Sequence, residues 1–113
     1  MEFKQIIARA LSVRKQYAAL EEEKHGRAWT DEELMLGFVN DVGTLAKLIQ
    51  AKEGVRDIEA LDQKLGHELS DCLWSIIVLS SKYGVNLEAS FLQTMDEIQR
   101  RIEAKTERND SNA

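Results

Sequence analysis

The sequence predicts an all-α protein, a helical bundle of about four helices, and three observations carry that expectation. The 113 residues contain no proline. Turn-forming residues cluster in only a few places, and between those clusters apolar residues recur at helical spacing. The composition, 43% hydrophobic and 31% charged, is too apolar for a disordered chain and too charged for a membrane protein. At this length one domain is expected, spanning residues 1–105, with a core small enough that partner subunits could complete it.

The first helix is predicted from about Phe3 to Lys24. Phe3, Ile6, Ile7, Ala10, Leu11, Tyr17 and Leu20 line one face, and His25-Gly26 ends it. The second opens at Thr30, an N-cap with Glu33 three residues on as a capping box, and carries Leu34, Phe38, Val42, Leu45 and Ile49 toward a stop at Gly54. The third is predicted to begin near Asp57. It is apolar nearly all round between Cys72 and Leu79, which marks it as central, and Gly84 closes it. The fourth follows Asn86 as N-cap and shows a seam of Leu87, Phe91, Met95, Ile98 and Ile102 beside a charged run. Residues 106–113 offer no apolar anchor before the terminal alanine and are expected to be a disordered tail. Gly37 and Gly43 each cost about 1 kcal/mol inside a helix relative to alanine, so a close approach is expected at both.

Charge and cysteine usage narrow the function classes. The formal charge of −5, with basic residues spread rather than striped, speaks against a nucleic-acid or anionic-membrane surface. No run of about 18 apolar residues occurs, and the first residues lack the basic head and apolar stretch of a signal peptide, so a cytoplasmic protein is expected. Cys72 stands alone in an apolar helical run, which rules out an internal disulfide and a paired-cysteine zinc site.

The informative residues are carboxylates placed where a helix should be apolar. Asp41 lies on the edge of the second helix's buried stripe, three residues after Phe38 and four before Leu45. Glu68 and Asp71 are three apart on the third helix and so project from one face. If these two helices pack antiparallel, the three carboxylates converge into a set that suits a hard cation such as Mg²⁺. The same spacing also describes a solvated acidic face with Asp41 paired to a basic residue, and spacing alone leaves both open.

The segment Asn40-Asp41-Val42-Gly43-Thr44-Leu45, with Glu68-Leu69-Ser70-Asp71-Cys72-Leu73-Trp74 downstream, resembles the EExxE and ExxD halves of the MazG-like nucleotide pyrophosphohydrolase motif. Tyr83 to Phe91 is similar to that family's link into a last helix, and Met95-Asp96-Glu97 to a later segment, so the resemblance covers about Thr30 to Arg101. It implies an all-α homodimer or homotetramer that hydrolyses nucleoside triphosphates to monophosphate and pyrophosphate with Mg²⁺. It further implies that Asp41, Glu68 and Asp71 are metal ligands, with Thr44 at the fourth ligand position. The chain departs from the family pattern inside this motif, since Asn40, Asp41 and Thr44 stand where it has three glutamates. Asn40 cannot act as a base but can hydrogen-bond a nucleophile, and Thr44 brings a hydroxyl without charge. Thr94 and Ile98 stand where members that cleave dCTP often carry lysine and asparagine, which leaves the preferred base open. Trp74, on the face of Asp71, is a candidate to stack on a base, although an aromatic there equally fills a core. Lys47 is a candidate to neutralise phosphate. A relative that binds nucleotide for regulation without turning it over is the alternative reading.

Overall fold

The computed structural model describes residues 1–111 as four helices: α1 (Phe3–His25), α2 (Asp31–Lys52), α3 (Leu61–Lys82) and α4 (Leu87–Ser111). Their ends are set by local chemistry. Thr30 Oγ1 accepts from the Glu33 N–H at 3.2 Å while Glu33 Oε1 accepts from the Thr30 N–H at 3.1 Å, the reciprocal capping box the sequence predicts. Asn86 Oδ1 caps α4 by accepting from the Ala89 N–H at 3.1 Å. Gly26, Gly54 and Gly84 all adopt positive φ just beyond a helix end, where a side chain would be strained.

Two expected boundaries are corrected. The third helix begins at Leu61 rather than near Asp57, because Ala60 takes a left-handed conformation with φ 52° and ψ 43° that interrupts helical continuity. Residues 106–111, expected to be disordered, continue α4, with the Thr106 hydroxyl donating to the Ile102 carbonyl at 3.0 Å. No glycine or proline interrupts that segment, and extending an existing helix adds one hydrogen bond per residue fixed without a new nucleus. The last two residues of the expected tail lie outside the described ones.

Helix α3 is the hub, packing against α2 along its length and also against α1 and α4. Helices α2 and α3 run antiparallel, since Lys82 at the end of α3 pairs with Asp31 at the start of α2 at 2.9 Å. At the opposite end of the pair Lys52 meets Asp62 at 2.7 Å. Both pairs are exposed and so mark register more than they add stability. Their packing buries Leu48 and Ala51 from α2 and Cys72, Ile77 and Val78 from α3. Helix α1 is tied on by the Trp74 indole, whose Nε1–H donates to the Ala10 carbonyl at 2.9 Å and whose ring meets Tyr17 edge-on at 6.1 Å.

Little of the chain is enclosed. The radius of gyration is 18.9 Å, against about 13 Å for a compact domain of this length, and α4 buries none of its residues. Large apolar side chains stay open on α2 (Leu36, Val39), α3 (Leu69, Leu73) and α4 (Phe91, Leu92). Among the described residues no helix is long and apolar enough to cross a membrane.

Candidate metal centre

Antiparallel packing of α2 on α3 brings Asp41 opposite Glu68 and Asp71. One carboxylate oxygen from each lies within 4.8 Å of the other two. Glu68 is buried, at 8% exposure, while Asp41 and Asp71 are half-buried. Of the two arrangements the spacing leaves open, the structure shows the converging one: among the described residues no lysine or arginine ion-pairs with any of the three, and His67 Nε2 lies 3.1 Å from Asp71 Oδ2.

The electrostatics of this cluster are unsatisfied. Burial pushes the Glu68 carboxyl above its ordinary range, and Asp41, within hydrogen-bonding reach, adds to the effect, followed by the charge of Asp71. Glu68 Oε1 is buried with no hydrogen-bond partner. A buried carboxylate with an orphaned oxygen and two further carboxylates beside it costs free energy unless a proton or a cation neutralises it. Oxygens that lie within 4.8 Å of one another are near enough to share one Mg²⁺, which takes oxygen ligands at about 2.1 Å. The donor set therefore fits a hard divalent cation, with waters or phosphate oxygens completing the shell.

Two cavities flank the cluster. The first, about 390 Å³, is lined by Arg14, Tyr17, Trp29, Leu34, Gly37, Asp41, His67, Asp71, Trp74, Ser75 and Val78. It pairs an aromatic wall with two of the three carboxylates. The second, about 490 Å³, is lined by Thr44, Leu48, Gln63, Lys64, His67 and Glu68. His67 borders both, and Glu68 turns toward the second.

The other residues singled out from sequence fall as follows. Thr44 lines the second cavity beside Glu68. Trp74 lines the first, but its N–H is engaged by Ala10, so only its ring faces the cavity. Asn40 and Lys47 are exposed on α2 and border neither cavity. A Cβ at Gly37 would lie 3.5 Å from the Trp29 ring, an ordinary contact, and one at Gly43 would meet nothing within 4 Å. The close approach expected at Gly43 is therefore not made within this chain, because that face of α2 points away from α3. The Cys72 thiol is buried, and that burial, with the nearby carboxylates, pushes its pKa up, which keeps it an inert hydrophobe.

Sequence reasoning missed the device that shapes the first cavity. Arg14 grips Glu21 through two hydrogen bonds of 2.9 and 2.7 Å, and Glu21 Oε1 also accepts the Trp29 backbone N–H at 2.8 Å. This fixes the loop that brings Trp29 into the wall of the cavity that Asp41 and Asp71 also line. The seven-residue spacing of Arg14 and Glu21 places them two turns apart on one face, a signal that was present but indistinguishable from ordinary surface charge. Comparison with known proteins finds no protein family that matches this chain, and no curated protein that matches it either.

Proposed function

We propose that the chain is a Mg²⁺-dependent nucleoside triphosphate pyrophosphohydrolase, converting NTP or dNTP to the monophosphate and pyrophosphate. The observation that carries this reading is the buried, partnerless Glu68 Oε1 converging with Asp41 and Asp71 beside an aromatic-walled cavity. The resemblance of the two acidic segments to the MazG-like motif gives the reaction class. A role in clearing unwanted nucleotides from the cytoplasm follows from that class.

Asp41, Glu68 and Asp71 would hold the cation. When bound, Mg²⁺ supplies positive charge to a polyphosphate and to the pyrophosphate leaving group. The chain's own residues do the rest. His67 holds Asp71 through Oδ2, and a carboxylate of the set that does not contact the cation directly would position the attacking water and accept its proton. Trp29, Tyr17 and the Trp74 ring offer flat apolar surface to a base, excluding water around the reacting phosphate. No steric selection among bases follows from that surface.

A homodimer or homotetramer completes the domain. The open apolar stripes on α2, α3 and α4 exceed what a small monomer exposes, and Gly43 faces outward where a neighbouring backbone can approach. Light scattering at micromolar concentration should give at least twice the 12.9 kDa chain mass; a clean monomer rejects this part.

A second reading keeps fold and ligand but not turnover. It is favoured by one observation, the neutral Thr44 where the resemblance calls for a fourth carboxylate. The test separates the two: pyrophosphate release from canonical and modified nucleoside triphosphates, with and without Mg²⁺, from the native chain and Glu68→Ala. Metal-dependent release lost in the variant supports the hydrolase. Nucleotide binding without release, by folded protein, selects the regulatory reading.

A further inference from the structure

The second cavity differs in charge from the cluster it adjoins. Apart from Glu68, which a cation would neutralise, and His67, held toward Asp71, its polar lining consists of Thr44, Gln63 and Lys64. These offer a hydroxyl, an amide and an ammonium, all hydrogen-bond donors. Lys64 ion-pairs with no carboxylate among the described residues, whereas its neighbours Lys52 and Asp62 are paired with each other. Gln63 and Lys64 lie in the first turn of α3, whose N-cap Ala60 provides no capping side chain, so the partial positive charge of the helix start adds to that of Lys64. Because Glu68 belongs to the lining as well as to the carboxylate cluster, the cavity, about 490 Å³, has room for an anion that bridges from a cation to lysine.

We propose that this cavity is a diphosphate subsite, in which Lys64, Gln63 and Thr44 bind the pyrophosphate end of the substrate while Glu68 shares the cation with it. This inference rests on the proposed function for its cation, and it gives Thr44 a positive role. A carboxylate at position 44 would place a negative charge in a cavity built for an anion and would require a further cation to tolerate it. With threonine there, Lys64 supplies the second positive charge from the protein itself.

The test is titration of the full-length protein with inorganic pyrophosphate, followed by calorimetry, in the presence and absence of Mg²⁺. Lys64→Gln should weaken binding about tenfold, the scale of one charge-assisted hydrogen bond. Lys64→Arg should retain most of the affinity, and Lys105→Gln, a charge-matched change on exposed α4, should bind as the native chain does. Thr44→Glu should weaken binding at limiting Mg²⁺. Equal affinity for Lys64→Gln and Lys105→Gln, or tighter binding by Thr44→Glu at limiting Mg²⁺, would overturn the subsite, as would native protein that binds no pyrophosphate. The two proposals fail separately. Lys64-dependent binding that ignores Mg²⁺ and survives Glu68→Gln would keep the anion site and reject its cation. Mg²⁺-dependent nucleotide cleavage indifferent to Lys64 would do the reverse.

Discussion

Glu21 and Glu68 are buried to nearly the same degree, at 6% and 8% exposure, yet their surroundings are opposite. Glu21 is saturated: Arg14 meets both its oxygens, and the Trp29 N–H adds a third hydrogen bond. The Arg14 hydrogen bonds hold its carboxyl below the ordinary range despite the opposing effect of burial. Glu68 has two carboxylates for neighbours and one oxygen with no partner, and its carboxyl is pushed up. The difference teaches that burial of a charge does not by itself mark a functional group. A buried charge whose demand is met internally is architecture, and one whose demand is left unmet points to something that binds.

The largest expected effect breaks the satisfied member. Glu21→Ala leaves Arg14, only 12% exposed along its side chain, without its counter-charge. A loss of about 3 kcal/mol is expected in urea unfolding. An unchanged midpoint would show that the Arg14–Glu21 pair is no part of the architecture. The same experiment on the unsatisfied member should have the opposite sign. Glu68→Gln removes a like charge and gives Asp41 an amide donor, so the metal-free protein should gain about 1–2 kcal/mol. In thermal unfolding, millimolar Mg²⁺ should raise the melting temperature of the native chain and leave that of Glu68→Gln unmoved. Destabilisation of Glu68→Gln in the absence of metal would mean that Glu68 has a partner in solution after all.

Smaller effects sharpen the contrast. Trp74→Phe keeps the ring against Tyr17 but loses the bond to the Ala10 carbonyl, for about 1 kcal/mol. A larger loss would make the indole the main tie between α1 and α3. The smallest effect is in pH. The folded pKa of Glu21 lies below its ordinary 4.5, so its contribution is fully present above about pH 4.5 and is lost as pH falls through the lower folded value. The stability gap between the native chain and Glu21→Gln should therefore narrow in acid below that point. A gap that widened in acid would reverse the sign assigned to Glu21.

The legibility of the fold and of the site follows the range of the interactions involved. Thr30, Glu33, Asn86 and the three terminal glycines act within a few residues, so helix starts and stops were readable wherever a side-chain cap or a glycine sets them. The start of α3 was missed because Ala60 adopts a left-handed conformation with no sequence signal for it. The extent of α4 was not legible because residues 106–111 are polar, as a tail would be, while the lack of a helix breaker lets the helix run on through them. Asp41, Glu68 and Asp71 could be placed on facing stripes from periodicity, and their convergence followed from antiparallel packing. Lys64 and His67 stand four residues before Glu68 and Asp71 on α3, and Arg14 stands two turns before Glu21 on α1, so their spacings are local but look the same as ordinary surface charge; the cavities they line come from the packing of α2 and α1 on α3.

By itself, then, the sequence determined four helices, the N-caps of α2 and α4, and which carboxylates lie on which face, because those depend on 3.6-residue periodicity and short-range hydrogen bonds. Only the tertiary structure decided that Glu68 keeps one oxygen without a partner while Glu21 has three hydrogen bonds, and that the acidic cluster adjoins both an aromatic cavity and a lysine-bearing one. Burial and electrostatic demand are set by what neighbouring helices bring to a group, and that depends on packing rather than on position in the chain.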